Sequence, residues 1–147
     1  MIKLDEITAD NLEVVLKLKV SKEQENFVST TAYSLAQAYV YRENAYPFAI
    51  YADDTLVGFI MFGIYELRNQ YTLWKFLIDE KYQNKGYGKM ALALGIEYMK
   101  KQYDIKEMYT GVAIDNDVAE RLYHSVGFQL TGLIENGMKE LRYVCKL

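Results

Sequence analysis

The chain has 147 residues, the size of one ordinary domain and too short for two. Hydrophobic residues at 51%, charged residues at 25% and a single proline exclude disorder along most of its length. A formal net charge of -3 excludes a basic nucleic-acid footprint, one cysteine excludes an intrachain disulfide, and one histidine beside it leaves no zinc set.

The first residues, Met1–Glu6, hold no signal-peptide apolar region, and no stretch of 18 uncharged apolar residues follows anywhere. The expectation is a soluble, cytoplasmic, single-domain protein over residues 1–147, bound to neither nucleic acid nor membrane. Ile2–Asp5 alternates as a short strand. Asp10 or Asn11 caps a helix carrying Leu12, Val15 and Leu16. A polar, acidic loop follows from Ser21 to Thr31, then a second helix capped by Ser34 and running to about Glu43. Pro47 marks a boundary.

Three strands come next. Phe48–Tyr51 and Thr55–Tyr65 form a hairpin about Asp53-Asp54, and Tyr71–Asp79 follows a turn at Arg68-Asn69-Gln70. The third strand is apolar on both faces near its end, which implies burial on both sides. Gly86 to about Gln102 has the period of a long helix. Lys106–Ala113 reads as a strand, and Asp117–Val126 as a helix capped by Asp115 or Asn116 and ended by Gly127. Phe128–Ile134 and Met138–Lys146 make a final hairpin. The order β-α-α-β-β-β-α-β-α-β-β predicts an α/β (α+β) fold: a mixed, mostly antiparallel central sheet flanked by helices, with no doubly wound half.

Two segments carry chemistry. Gln83-Asn84-Lys85-Gly86-Tyr87-Gly88-Lys89 follows a buried strand and opens the long helix. Glycines there let backbone N–H groups converge on an anion at the positive end of the helix dipole. They equally ease a turn into a helix. The segment matches neither the P-loop nor the dinucleotide fingerprint. The second segment is Asn116-x-x-Ala119-x-x-Leu122-Tyr123-x-x-x-Gly127-Phe128, in which Asn116, Ala119 and Tyr123 share nearly one helix face.

Taken together, Q-x-x-G-x-G, a helix, a strand and N-x-x-A-x-x-L-Y-x-x-x-G-F resemble the GNAT superfamily of acyl-CoA-dependent N-acetyltransferases, and the element order resembles that fold from end to end. The resemblance implies acetyl-CoA as co-substrate and no metal. It implies pyrophosphate on Gln83, Asn84, Lys85, Gly86, Tyr87, Gly88 and Lys89. The acetyl and pantetheine arm would lie on the backbone of Phe76, Leu77 and Ile78, and Asn116 would contact it. Tyr123 would protonate the departing thiolate. Val20–Val28, Leu56–Gly63 and Phe76–Gln83 resemble the bacterial diamine and spermine/spermidine acetyltransferases, which implies a small-molecule amine acceptor and, for the fold, a homodimer through the final strands.

One departure matters. Superfamily members often place a carboxylate base on the strand before the glycine turn, but no Asp or Glu lies between Glu66 and Asp79. Glu66 is the nearest candidate base. Glu23 and Glu25 are candidate acceptor ligands for a polycation, and Trp74 offers a ring face to an ammonium. Two rival readings remain at this point. One is acetylation of another small or peptide amine; the other is a non-catalytic acyl-CoA-binding module, which has no need of a phenol at the sulfur.

Overall fold

The computed structural model describes residues 1–146. Seven strands form one sheet: β1 (Ile2–Asp5), β2 (Ala45–Ala52), β3 (Thr55–Tyr65), β4 (Gln70–Ile78), β5 (Glu107–Ala113), β6 (Gln129–Glu135) and β7 (Met138–Val144). Their spatial order is β1-β2-β3-β4-β5-β7-β6. Every neighbouring pair is antiparallel except β4 and β5, which run parallel. Among the described residues there are four α-helices: α1 (Leu12–Leu16), α2 (Thr31–Val40), α3 (Tyr87–Tyr103) and α4 (Asp117–Val126). The element order is the one the sequence predicts.

Strand β3 is buried over eight consecutive residues because both faces of the sheet are covered there. Ile60 and Phe62 pack toward α3 with Leu92, Ile96, Met108, Phe128 and Leu141. Phe59 and Met61 point the other way, into a second core with Val15, Leu18, Ala38 and Leu77 beneath α1 and α2. The first core reaches from β2 across to β7, whereas the second stops at β4.

Several expected boundaries move. Helix α2 begins at Thr31, capped by Thr30, whose hydroxyl accepts the Tyr33 N–H at 3.1 Å. Ser34 lies inside that helix, buried, donating back to the Thr30 carbonyl. Asn11 precedes α1 without capping it: its amide serves the Thr8 N–H, the Glu6 carbonyl and the Tyr51 hydroxyl. Pro47 sits within β2, opposite Met61. There β1 no longer covers β2, since their pairing ends at Asp5 and Ala49, so the missing N–H leaves no partner unpaired.

Two irregularities set up the site. Met61 pairs with Lys75 and the next β3 residue, Phe62, pairs with Leu73, so Trp74 is the extra residue of a β-bulge. The bulge turns Trp74 and Lys75 to the same face, the one beneath α1 and α2, and bends β4. Beside it, the register between β4 and β5 holds at a single pair, Thr72 opposite Tyr109. The Thr110 hydroxyl adds one bond to the Leu73 carbonyl, at 3.2 Å. Past that point the two parallel strands diverge, and a gap opens in the middle of the sheet.

Candidate active site

The gap leads into a cavity of about 410 Å³. At its narrow end, Thr110 and Leu73 join the two strands, and the Tyr123 hydroxyl meets the Thr110 side chain. At its wide end lies the glycine turn. Strand β4 supplies one wall with Trp74 through Ile78, β5 the other with Gly111, Val112 and Ala113, and α4 adds Asn116, Ala119 and Leu122.

The wide end presents backbone donors without a side-chain cap. Gly86 takes φ 81°, a conformation that costs an L side chain about 1–2 kcal/mol, and it swings the chain from the turn into α3. Gly86 has no side chain to cap the helix. The first helical N–H groups, at Tyr87, Gly88 and Lys89, therefore have no capping partner, and all three residues line the cavity. Helices α2 and α4, by contrast, are closed by Thr30 and Asn116, whose side-chain oxygens accept the Tyr33 and Ala119 N–H groups. Gln83 fastens the turn to the strand, its amide donating to the Ile78 carbonyl at 2.9 Å.

Backbone direction along β4 follows from one hydrogen bond. The Asp79 N–H donates to Val57 on β3 at 2.8 Å. Backbone groups alternate sides along a strand, so those of Ile78 and Phe76 point into the gap while those of Leu77 turn to β3. The expectation that all three residues offer backbone groups to a ligand thus narrows to Phe76 and Ile78; Leu77 lines the cavity and packs in the second core.

Tyr123 is 8% exposed, its ring edge-on to Phe128 at 5.7 Å. Burial pushes its phenol up to about 12, so it stays protonated at any working pH. Lys75 lines the same cavity, its ammonium donating to the Ser29 hydroxyl at 3.0 Å, and burial lowers its pKa from the usual lysine range.

Trp74 is also in this wall. The missing Cβ of Gly63 makes room for its indole, because a methyl group there would overlap the ring. Tyr41 supports it edge-on at 6.2 Å. We expect Gly63→Ala to cost about 1–3 kcal/mol by overpacking and to shift the emission of Trp74. With one tryptophan in the chain, fluorescence reports this position alone. An unchanged melting temperature and spectrum would show that the indole moves aside freely.

Other predicted residues lie elsewhere. Glu23 and Glu25 are exposed and do not line the cavity; Gln24 and Phe27 do. Lys22–Gln24 is a 3₁₀ turn, and its three-residue period carries Gln24 and Phe27 to one side, between the two glutamates. Glu66 sits in the β3–β4 turn, where it accepts a 2.6 Å bond from the Asn44 amide, away from the gap. Lys85 is exposed and outside the lining. Sequence reasoning passed over Lys75, Tyr82, Ser29, Thr110 and Met138, all of which line the cavity. Among the described residues no group of His, Cys, Asp or Glu is placed to hold a metal ion, and no helix is long and apolar enough to cross a membrane.

The sequence profile of the Acetyltransferase (GNAT) family matches residues 13–128, which include the glycine turn, Asn116 and Tyr123. The chain belongs to the GNAT acetyltransferase family. This acetyltransferase is 35% identical to the spermine/spermidine N(1)-acetyltransferase of Bacillus subtilis, over 94% of this chain and 95% of that protein. Among solved structures it resembles the spermidine N-acetyltransferase of Vibrio cholerae in complex with CoA and spermine, with TM-score 0.76 at 17% identity over 97% of this chain and 95% of that one. It also resembles the PaiA N-acetyltransferase of Thermoplasma acidophilum in complex with coenzyme A, with TM-score 0.74 at 21% identity over 99% of both chains. The fold of the GNAT acetyltransferase is thus the fold of these neighbours.

Proposed function

We propose that this acetyltransferase transfers the acetyl group of acetyl-CoA directly to a primary amine of a polyamine such as spermine or spermidine. The carrying observation is one continuous cavity running from an uncapped helix N-terminus to a buried phenol at the apex of a strand gap. Its length and chemistry suit a molecule with phosphates at one end and a thioester at the other. The 35% identity to a spermine/spermidine acetyltransferase supports the acceptor.

In this reading, the N–H groups of Tyr87, Gly88 and Lys89, with Gln83, Asn84 and Gly86 shaping the turn, hold the pyrophosphate. The backbone of Phe76 and Ile78 pairs with the amides of the pantetheine arm as an added strand would, and Asn116 borders that arm. The Phe76 N–H, aimed into the gap and nearer Tyr123 along β4, polarises the thioester carbonyl. The neutral amine nitrogen then forms the new N–C bond, the C–S bond breaks, and sulfur leaves with the electron pair. Tyr123 donates its proton toward that sulfur. The positive nitrogen formed by the attack sheds a proton, which restores the balance through solvent. A phenol in the gap is surplus to a pure binding module, which favours catalysis.

Among the described residues no carboxylate lines the gap, and in this reading the amine arrives at the reaction with its proton already lost to water. An alkylammonium has a pKa near that of lysine, about 10.4, so the rate should climb with pH as the neutral fraction grows. The exposed edge strand β6, with Leu130, Leu133 and Ile134 outward, supports pairing with a second copy.

The test is an amine panel with mass analysis of the product. We expect kcat/KM for spermidine or spermine to exceed that for a monoamine of equal basicity by at least about tenfold, or 1.4 kcal/mol. Salt should narrow the gap by screening. Equal efficiency for the monoamine, or preference for an amino sugar or peptide N-terminus, would defeat the polyamine acceptor.

A further inference from the structure

The glycine turn, Asn116 and Tyr123 line the first cavity, and none of them lines a second one of about 230 Å³. The two cavities meet at Thr110, Gly111 and Met138. Along β5, Met108 and Val112 face the core beneath α3, so Tyr109 and Gly111 face the opposite side of the sheet. The second cavity therefore opens on the face that α1 and α2 leave uncovered beyond β4.

The charges differ between the two. The first cavity is lined by Lys75 and Lys89 and, among the described residues, by no carboxylate. The second is lined by Glu135 and Glu140, with Arg68 and Lys139. Lys139 is engaged by Glu120. Among the described residues Arg68 is the one cation paired with both glutamates: Nη2 lies 2.7 Å from Glu135 Oε1 and Nη1 lies 3.4 Å from Glu140 Oε2, while the Thr131 hydroxyl donates to Glu140 Oε1 at 2.8 Å. Two carboxylates thus share one guanidinium.

The placement of that ion pair is unusual for a surface bridge. Arg68 comes from the β3–β4 turn and the glutamates from the β6–β7 hairpin, while β5 lies between β4 and β7 in the sheet. The side chains therefore reach from one wall of the cavity to the other, across Tyr109 and Gly111. Gly111 keeps the floor low; a Cβ there would meet only Met138 and the Lys139 carbonyl, at 3.5 Å and beyond.

We propose that Arg68 is a specificity-determining latch: it spans the second cavity by holding Glu135 and Glu140, and a cationic acceptor displaces it from them as its reacting nitrogen passes over Gly111 into the strand gap. This rests on the polyamine reading above. A polyamine brings charges that replace the guanidinium on the same carboxylates, so the exchange costs little. An acceptor with no second charge opens the latch and leaves both glutamates without a counter-ion. Selection for a polycation then arises from what the acceptor gives back, in the cavity that neither the glycine turn nor Tyr123 lines.

The experiment compares spermidine with butylamine at saturating acetyl-CoA, for wild type, the Glu135→Gln/Glu140→Gln double variant and Arg68→Gln. Melting curves check that the variants fold. We expect the double variant to lose at least tenfold in kcat/KM for spermidine and less than about threefold for butylamine, with the KM for acetyl-CoA unchanged. Arg68→Gln should lower the spermidine KM several-fold, because a competitor for the carboxylates is gone. Equal losses for both amines, or a raised spermidine KM in Arg68→Gln, would make the bridge a structural tie and overturn the latch. A wild-type preference for spermidine that survives the double substitution overturns the latch alone. Absence of that preference in the wild type overturns the polyamine reading and the latch together.

Discussion

Replacing Tyr123 by phenylalanine should lower kcat by about 10²–10⁴-fold while leaving the KM for acetyl-CoA nearly unchanged. The substitution removes one oxygen from a ring that is 8% exposed and packed edge-on to Phe128, so the core beneath α4 keeps its shape. What is lost is the single phenolic donor at the apex of the gap. The pH profile separates this role from a structural one. The Tyr123 phenol is pushed up to about 12 by burial, so its proton is present throughout the accessible range. The wild-type rate should therefore rise with pH as the amine loses its proton, with no falling limb from Tyr123 below about pH 11. The phenylalanine variant should show the same rise at a uniformly lower level. Single-turnover rates read the chemical step directly, and wild-type turnover in the variant would remove Tyr123 from the reaction.

Gly88→Val should weaken acetyl-CoA binding by at least about a hundredfold, or 2.7 kcal/mol. Gly88 stands in the first turn of α3 and carries no positive φ, so its backbone accepts a side chain. A Cβ there would lie 3.5 Å from Phe76, 3.6 Å from Leu122 and 3.7 Å from Ile78, in ordinary contact, and the fold should survive. Those three neighbours line the cavity, however, so the two valine methyls occupy the space in front of the uncapped N–H groups. Titration by calorimetry, or through the emission of Trp74 in the cavity wall, gives the affinity. Unchanged binding in a folded variant would place the phosphates elsewhere. Gly86 makes a useful contrast, because at φ 81° it has open space around it and a substitution there acts through backbone strain instead.

Local grammar explains what the sequence revealed. Strand β3 and helix α4 begin and end where the residues say they should, at Asp53-Asp54 for one and between Asn116 and Gly127 for the other. Each boundary is made by residues within a few positions of it. Apart from the start of α2, the misplaced features depend on partners distant in the chain. Pro47 is compatible with β2 only because β1 is too short to cover it. The bulge at Trp74 exists only in the pairing with Met61 and Phe62, and without it Lys75 would share the face of Leu73. The acidic candidates Glu23 and Glu25 lie outside the cavity lining for a local reason. Glu23 and Glu25 are near Gln24 and Phe27 in sequence, but a 3₁₀ turn sorts the four to different sides. Glu135, Glu140 and Arg68 are 67 and 72 positions apart across their bridge, and no spacing rule joins them. The cofactor side was legible because its turn and its helix cap are short contiguous motifs.

The single register point between β4 and β5 also bears on mechanics. The sheet behaves as two plates, β1–β4 and β5–β7, riveted at Thr72 and Tyr109 and braced from one side by the core beneath α3. Past the Thr110–Leu73 bond, each plate presents a row of backbone groups to the other without pairing with it. A ligand that pairs with both rows welds the seam, and its binding energy becomes cohesion of the whole sheet. At a hundred times its Kd it adds about 2.7 kcal/mol to the folded state, a large part of the margin by which a domain stays folded. Part of the cohesion along this seam is then supplied by the co-substrate.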